Sequence, residues 1–243
     1  MKRIVLITGA SRGLGLSLAK RFLQTGDYVF GASRSRRYWK KAFDEVEHSK
    51  RFRLRKVDLT QPRQVQNWIR QITKKYAKID ILAHCAGRVE ALNRLEHISY
   101  KEFRKIIQAN LTSTFLLSQA VLPIMRKKKR GWILHVSSMA GKRAVPRVAA
   151  YSASKFGVVA LSQAIAKENE DTRIKCVTVC PGGMNTKMRA DLFGREDAEK
   201  QQSADFVADV MMQIVQGQIK MNSGDDIVIR YGKITAINPL PGR

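Results

Sequence analysis

Ile4-Val5-Leu6-Ile7-Thr8-Gly9-Ala10-Ser11-Arg12-Gly13-Leu14-Gly15 is the stretch that decides how this chain folds. Its first four residues form a short apolar run with β-branched members, which suits a strand buried on both faces. Glycines 9, 13 and 15 follow at once, and an amphipathic segment with Leu14, Leu18, Phe22 and Leu23 on one side runs on to Gly26. The order is strand, glycine turn, helix. In that setting the glycines let the backbone approach a pyrophosphate and pack the helix against the strand. The start of the helix adds unpaired N–H groups and the positive end of its dipole. A glycine triplet by itself also fits a plain strand-to-helix turn; the flanking strand and helix favour a dinucleotide site.

The same alternation continues outward from this unit. Strands are predicted near 3–7, 28–32, 52–57, 79–83, 131–137, 174–180 and 226–230, and helices near 13–25, 37–47, 62–76, 99–109, 111–128, 150–169 and 203–215. That pattern predicts an α/β fold of the Rossmann type, a doubly wound parallel sheet of about seven strands with helices on both faces. With 243 residues, no Pro/Gly/Ser-rich linker and no internal repeat, one domain over 1–243 is expected. In such sheets ligands bind beyond the carboxyl ends of the strands, and Gly9, Asp58, Gly87, Ser138 and Pro181 all fall at or after those ends.

Far from the glycine turn stands Tyr151-Ser152-Ala153-Ser154-Lys155, with Ser138 thirteen residues earlier. Residues four apart on a helix share a face, so the phenol and the ammonium emerge as neighbours. A free tyrosine has a pKa of about 10, and lowering it by roughly three units needs about 4 kcal/mol of differential stabilisation. A nearby cation can supply much of that. The pair alone would equally suit a solvated helix face. A hydrolase built on Ser138 is disfavoured: no Gly-x-Ser-x-Gly elbow surrounds it, and His135, three residues earlier on the strand, should point to the other sheet face and pack there.

Taken together, these motifs resemble the short-chain dehydrogenase/reductase family, over nearly the whole chain from Thr8 to about Thr186. They run in the family's order: Thr8-Gly9-x-x-x-Gly13-x-Gly15, Asp58 after a strand, Ala86-Gly87, Asn110 in a helix, Ser137-Ser138-x-x-Gly141, Tyr151-x-x-x-Lys155, and Pro181-Gly182 followed by Thr186. The resemblance implies interconversion of a carbonyl and a secondary alcohol by hydride transfer, in the manner of the NADPH-dependent ketoreductases. It implies that Tyr151 exchanges a proton with the substrate oxygen, Ser138 hydrogen-bonds that oxygen, Lys155 binds the nicotinamide ribose and lowers the Tyr151 pKa, and Asn110 holds a water or main-chain group that connects Lys155 to solvent. The implied cofactor contacts are Gly9, Ser11, Arg12, Gly13, Leu14, Gly15, Ser33, Arg34, Asp58, Leu59, Ala86, Gly87, Tyr151, Lys155, Pro181, Gly182 and Thr186. Asp58 would stand at the adenine ring, or serve with Thr60 to cap the helix that begins at Pro62. Two departures stand out. His84-Cys85 replaces the family's usual Asn-Asn before Ala86-Gly87, and the C-terminal region lacks the family's glycine-rich ending.

Ala32-Ser33-Arg34 follows the second strand, where an acidic residue would select a ribose 2′-hydroxyl and a basic one a 2′-phosphate. Arg34 can pair with a phosphate bidentately, Ser33 can donate a hydroxyl, and Arg12 adds a second cation. NADP(H) is therefore the expected cofactor, with NAD(H) and an alcohol dehydrogenase as the alternative.

The 45 basic residues against 20 acidic ones, a formal charge of +25, are not explained by the resemblance. Runs such as Arg34–Lys41, Lys50–Lys56 and Arg126–Arg130 are read mainly as solvated surface. They leave open an acidic or carrier-linked substrate, such as one on an acyl carrier protein, nonspecific contact with nucleic acid, or a dinucleotide-responsive binding protein with a polyanion-binding surface. Cys85, Cys176 and Cys180 form no complete disulfide set, the last two are expected as core thiols, and no His/Cys spacing resembles a metal site. Residues 4–7 are far too short for a signal-peptide core and no stretch approaches a membrane span, so a cytoplasmic enzyme is expected. The residues from Asn185 to Ser203 should cover the substrate cleft, which suits a small or medium carbonyl compound. The apolar excess of the helix 111–128, together with the resemblance, points to a homodimer or homotetramer.

Overall fold

Residues 2–241 are described by the structure, a computed structural model. The chain runs β1 (Ile4–Thr8), α1 (Gly13–Gln24), β2 (Tyr28–Ser33), α2 (Trp39–Glu45), β3 (Phe52–Lys56), α3 (Pro62–Tyr76), β4 (Ile81–His84), α4 (Tyr100–Ile107), α5 (Ser113–Lys128), β5 (Arg130–Val136), α6 (Ala149–Lys167) and β6 (Arg173–Pro181). It continues through β7 (Met184–Asn185), α7 (Lys187–Phe193), α8 (Arg195–Glu199), β8 (Gln202–Ser203), α9 (Ala204–Gln216), β9 (Asp226–Arg230) and β10 (Lys233–Asn238). Eight strands form one sheet in the order β10-β9-β6-β5-β4-β1-β2-β3, and β7 pairs separately with β8. Every pairing in the large sheet is parallel except β10 against β9.

Alternate residues of the central strands feed two cores. Val5 and Ile7 of β1 join Leu18 and Phe22 of α1 and Val207 and Met211 of α9, whereas Ile4 and Leu6 face Trp68 of α3, Leu117 of α5 and Ile165 of α6. This is why the strands read as continuous apolar runs: a parallel sheet covered on both faces has no solvent side to mark with polar residues. The sheet expected to have about seven strands has eight. Residues Tyr231 and Gly232, both at positive φ, make a two-residue hairpin loop that turns the chain back from β9 into β10. Its turn pair lacks the Asn-Gly or Asp-Gly signature, and β10 is largely exposed, so neither turn chemistry nor a buried run announced it.

The separate helices expected at 99–109 and 111–128 are joined by one wide turn of π-helix over Gln108–Thr112, which contains Asn110. An extra residue in such a turn rotates the side chains that follow, and turns of this kind concentrate at functional sites. Cys176 and Cys180 are buried thiols, as expected for one side of β6.

His135 packs in the core as anticipated. Its ring lies between Ser118 Oγ of α5 at 3.0 Å and Ser162 Oγ of α6 at 2.8 Å, and burial pushes its pKa down to about 3. An unfolded chain protonates the same imidazole near its ordinary pKa of about 6.5. The stabilising contribution is therefore complete above pH 6.5 and is lost as the pH falls toward 3. Replacing His135 by Gln should lower stability at neutral pH and flatten the loss between pH 6.5 and 4, measured by urea unfolding at a series of pH values. An unchanged pH slope would contradict this account.

Candidate active site

The strand order reverses between β1 and β4, and the ends of these two strands open the crevice where α/β sheets bind ligands. Gly9 leaves β1 at φ +68°, and a Cβ placed on it would come within 3.2 Å of Ala86 at the end of β4. A Cβ on Gly15 would sit 2.5 Å from the Gly9 carbonyl oxygen, so the first turn of α1 can approach β1 only as glycine. Among the described residues no side chain caps the N-terminus of α1, whose free N–H groups face this turn. The resulting concave backbone surface, with a dipole end aimed into it, fits a dinucleotide pyrophosphate. Thr186 caps α7, and a Cβ placed on Gly13 would lie 3.6 Å from the Thr186 methyl group, so the β6–α7 connection passes over the glycine turn.

Beside the turn, the Arg12 guanidinium stacks on Tyr38 with 4.8 Å to the ring centroid, and Arg37 lies 5.4 Å from the same centroid. Arg34 is exposed at the end of β2. Tyr38 thus joins the cation of the glycine turn to the basic loop after β2, a contact that sequence spacing did not reveal. The Ser33 hydroxyl is not a free donor as expected: it donates to Ser35 O at 2.9 Å and accepts from Trp39 Nε1 at 2.7 Å. Asp58 accepts from both the N–H and the hydroxyl of Thr60, closing a turn ahead of α3, and Gln61 rather than Asp58 is the N-cap residue. The Leu14 and Leu59 side chains are buried in the two cores, leaving only their backbone for any ligand.

His84 takes over where the usual amides are missing. Ser113 Oγ donates to Ala109 O at 2.7 Å, so its lone pair accepts from His84 Nε2–H at 3.0 Å. His84 Nδ1 then accepts from Thr8 Oγ1 at 2.7 Å, and Thr8 Oγ1 accepts from Ala86 N–H at 3.1 Å. The chain of bonds is complete only with a neutral ring. Burial, with His135 and Lys155 adding to it, holds the His84 pKa well below the ordinary histidine value. The imidazole spans β1, β4 and the start of α5, fixing the ends of both strands at the crevice.

Asn110 does a similar job one layer out. Its Oδ1 accepts from Arg88 N–H and its Nδ2 donates to Arg88 O, each at 2.8 Å, and Nδ2 also donates to Ser154 Oγ at 2.8 Å. Ser154 Oγ in turn donates to Tyr151 O at 2.7 Å. The π-turn thereby ties the loop after β4 to α6. Ser137 is a structural hydroxyl, donating to Lys155 O at 2.9 Å. Ser138 accepts from Ala140 N–H at 3.1 Å, closing the turn after β5, and its hydroxyl acts on the Tyr151 phenol, favouring its ionised form.

Tyr151 is half-buried, and Lys155 Nζ lies 5.6 Å from its ring centroid. Nζ donates to Val136 O at 2.8 Å, and burial lowers the Lys155 pKa to about 8. The Tyr151 pKa is raised, foremost by burial and also by Glu90 and Cys180, against the lowering effect of the Ser138 hydrogen bond. The direction is opposite to the depression expected for the phenol: Lys155 Nζ points to the Val136 carbonyl, and desolvation is the largest effect on Tyr151. Pro181 ends β6 in the buried layer, Gly182 N–H donates to Ile229 O at 2.8 Å, and both border the same end of the sheet. The segment from Asn185 to Ser203, expected over the cleft, contains α7 and α8, joined by the Arg189–Asp197 ion pair. Glu90, which no motif singled out, reaches the first turn of α6 from the loop after β4.

This crevice, with a glycine turn at one side and a serine, tyrosine and lysine at the other, is built like that of a dinucleotide-dependent oxidoreductase. The chain belongs to the short chain dehydrogenase family, whose model matches residues 3–197. Members act on CH–OH and C=O groups, and this protein is an enzyme of that kind. It is 33% identical to oxidoreductase BOA17 of Botryotinia fuckeliana, over 76% of this chain and 67% of that protein. It is also 33% identical to the 3-oxoacyl-(acyl-carrier-protein) reductase FabG of Vibrio cholerae, over 76% of this chain and 75% of the relative. A structure of ElxO with NADP bound is 25% identical, with a TM-score of 0.85 over 94% of this chain and 97% of that one. Among the described residues no helix is long and apolar enough to cross a membrane.

Replacing His84 by Leu would leave the buried Thr8 hydroxyl without its acceptor and Ser113 without its donor, at a cost of about 2–4 kcal/mol. Chemical denaturation should show that loss, with His84→Asn, which can donate and accept, losing less. Equal stability of the Leu variant and the wild type would show that the relay contributes nothing.

Proposed function

We propose that the protein is an NADP(H)-dependent reductase that converts a small or medium carbonyl compound to a secondary alcohol. The observation that carries this reading is the Tyr151 phenol, with Ser138 beside it and Lys155 Nζ 5.6 Å from its ring centroid, at the strand ends that also present Gly9 and Ala86. NADP(H), when bound, supplies the hydride. Gly9, Ser11, Arg12, Gly13, Leu14 and Gly15 would cradle its pyrophosphate, and Asp58 and Leu59 would border the adenine. Ala86, Gly87, Lys155, Pro181, Gly182 and Thr186 would line the path to the nicotinamide. Arg34, with Arg12 nearby, would hold the 2′-phosphate, and Ser33 would shape that loop through its bonds to Ser35 and Trp39.

Ser138 and Tyr151 present two hydroxyls to one substrate oxygen, which orients the carbonyl and stabilises charge developing on it. With its pKa raised, Tyr151 carries its proton at neutral pH, the state that a proton donor to a carbonyl requires. Lys155 supports the phenolate left behind, and Asn110 keeps α6 and the loop after β4 in register. The relative named as a 3-oxoacyl-(acyl-carrier-protein) reductase makes a carrier-linked substrate a natural member of the test panel, and the basic surface suits its acidic groups.

Purified protein assayed with NADPH against ketones, aldehydes and acetoacetyl esters should show turnover, and absence of turnover on the whole panel would overturn the reading. Tyr151→Phe should lower kcat by about a hundredfold or more while NADPH still binds, as read by the cofactor's fluorescence. Arg34→Asp should weaken NADPH far more than NADH in the same binding assay; equal losses would remove the 2′-phosphate assignment.

A further inference from the structure

We propose that Glu90 is a positioning residue for Tyr151: its carboxylate caps the helix that carries the tyrosine and sets a buried acidic group at that helix start. The inference rests on the reading of Tyr151 as the proton donor. Helix α6 starts without a cap of its own, because the residue at its N-cap position is Val148, whose side chain has nothing to offer an N–H. Both oxygens of Glu90 accept from the Tyr151 N–H, at 3.0 and 3.1 Å. Tyr151 is the third residue of α6, so this N–H is one of the orphan donors of the first turn. A residue 61 positions earlier in the chain thus does what a local Ser or Asp does elsewhere.

The carboxylate is only 2% exposed, and no salt bridge to it occurs among the described residues. The nearest basic residue in sequence, Arg88, is committed to Glu102 at 2.9 Å. Arg147, from the loop before α6, turns its guanidinium to Leu92 O at 3.4 Å. What holds Glu90 is therefore the helix start itself, through two hydrogen bonds and the positive end of the dipole. The price is a buried negative charge at the start of the helix that carries the phenol.

Among the described residues, four groups face Tyr151. Ser138 acts on it from the turn after β5, and Lys155 stands behind it on α6 with its ammonium on Val136 O. Cys180, at the end of β6, has its thiol pushed up to about 12 by burial, so it is uncharged at neutral pH. Glu90 is the fourth, and it disfavours the phenolate by like-charge repulsion. The same carboxylate that anchors the backbone of Tyr151 thus opposes the loss of its proton. One buried group thus fixes the backbone of the tyrosine and sets how readily its phenol ionises.

The test uses the free protein, with neither cofactor nor carbonyl present, and its outcome is independent of whether Tyr151→Phe loses turnover. Ultraviolet difference titration of the wild type against Tyr151→Phe isolates the Tyr151 phenol, and the same pair is prepared with Glu90→Gln. Glu90→Gln keeps shape and an acceptor but removes the charge. We expect phenolate to appear at lower pH in the Gln background, or to appear before unfolding where the wild type ionises only as it unfolds. Amide exchange at Tyr151 should become about tenfold faster as a charged hydrogen bond is replaced by a neutral one. An unmoved titration overturns the proposal even with faster exchange, because a cap without electrostatic coupling would give that result. If Glu90→Gln does not fold, Glu90→Asp retains the charge and withdraws it by one methylene. Faster exchange with a titration displaced toward lower pH supports the proposal there, and wild-type values for both overturn it.

Discussion

The close approach of β1 and β4 at the switch point is the constraint on which the rest of the site depends. A Cβ on Gly9 would press on Ala86, and one on Gly15 would collide with the Gly9 carbonyl, so two strands and a helix meet with no side chain between them. That contact leaves a backbone surface at the sheet's edge and aims the open end of α1 into it. It also places the loop after β4, with Gly87, Arg88 and Glu90, within reach of α6. Asn110 and Glu90 then bind that loop to the helix bearing Tyr151 and Lys155.

Polar groups in this region are buried but committed, and the commitments explain their electrostatics. His84 and His135 are held neutral because each ring sits between hydroxyls in a dry interior, where a charge would be costly. Among the described residues Lys155 is the cation placed in that interior, and its lowered pKa reflects the same cost. The balance at Tyr151 follows: one hydrogen bond from Ser138 favours the phenolate, while burial and Glu90 oppose it.

Much of this was legible from residue order. The glycine turn, the helix spacing of Tyr151 and Lys155, the strand ends at Asp58 and Ala86 and the packing of His135 all come from local pattern, because strand burial and helix periodicity are local. The parts that were not legible involve pairs far apart in sequence. Nothing near Glu90 marks it as the cap of a helix 61 residues later, and nothing near His84 shows that it bridges Thr8 and Ser113. The engaged hydroxyl of Ser33 and the stacking of Arg12 on Tyr38 are likewise contacts between loops.

By itself, then, the sequence determined the alternating strands and helices, the family and the residues that meet at the crevice, since these follow from periodicity, glycine placement and spacing within single elements. Tertiary structure alone decided the eighth strand, the π-turn that swings Asn110 inward, and the state of the tyrosine. The pKa of Tyr151 depends on how deeply the ring is buried and on which charges arrive from β4, β5 and β6. Burial and long-range charge are properties of the packed molecule, and no spacing within α6 contains them.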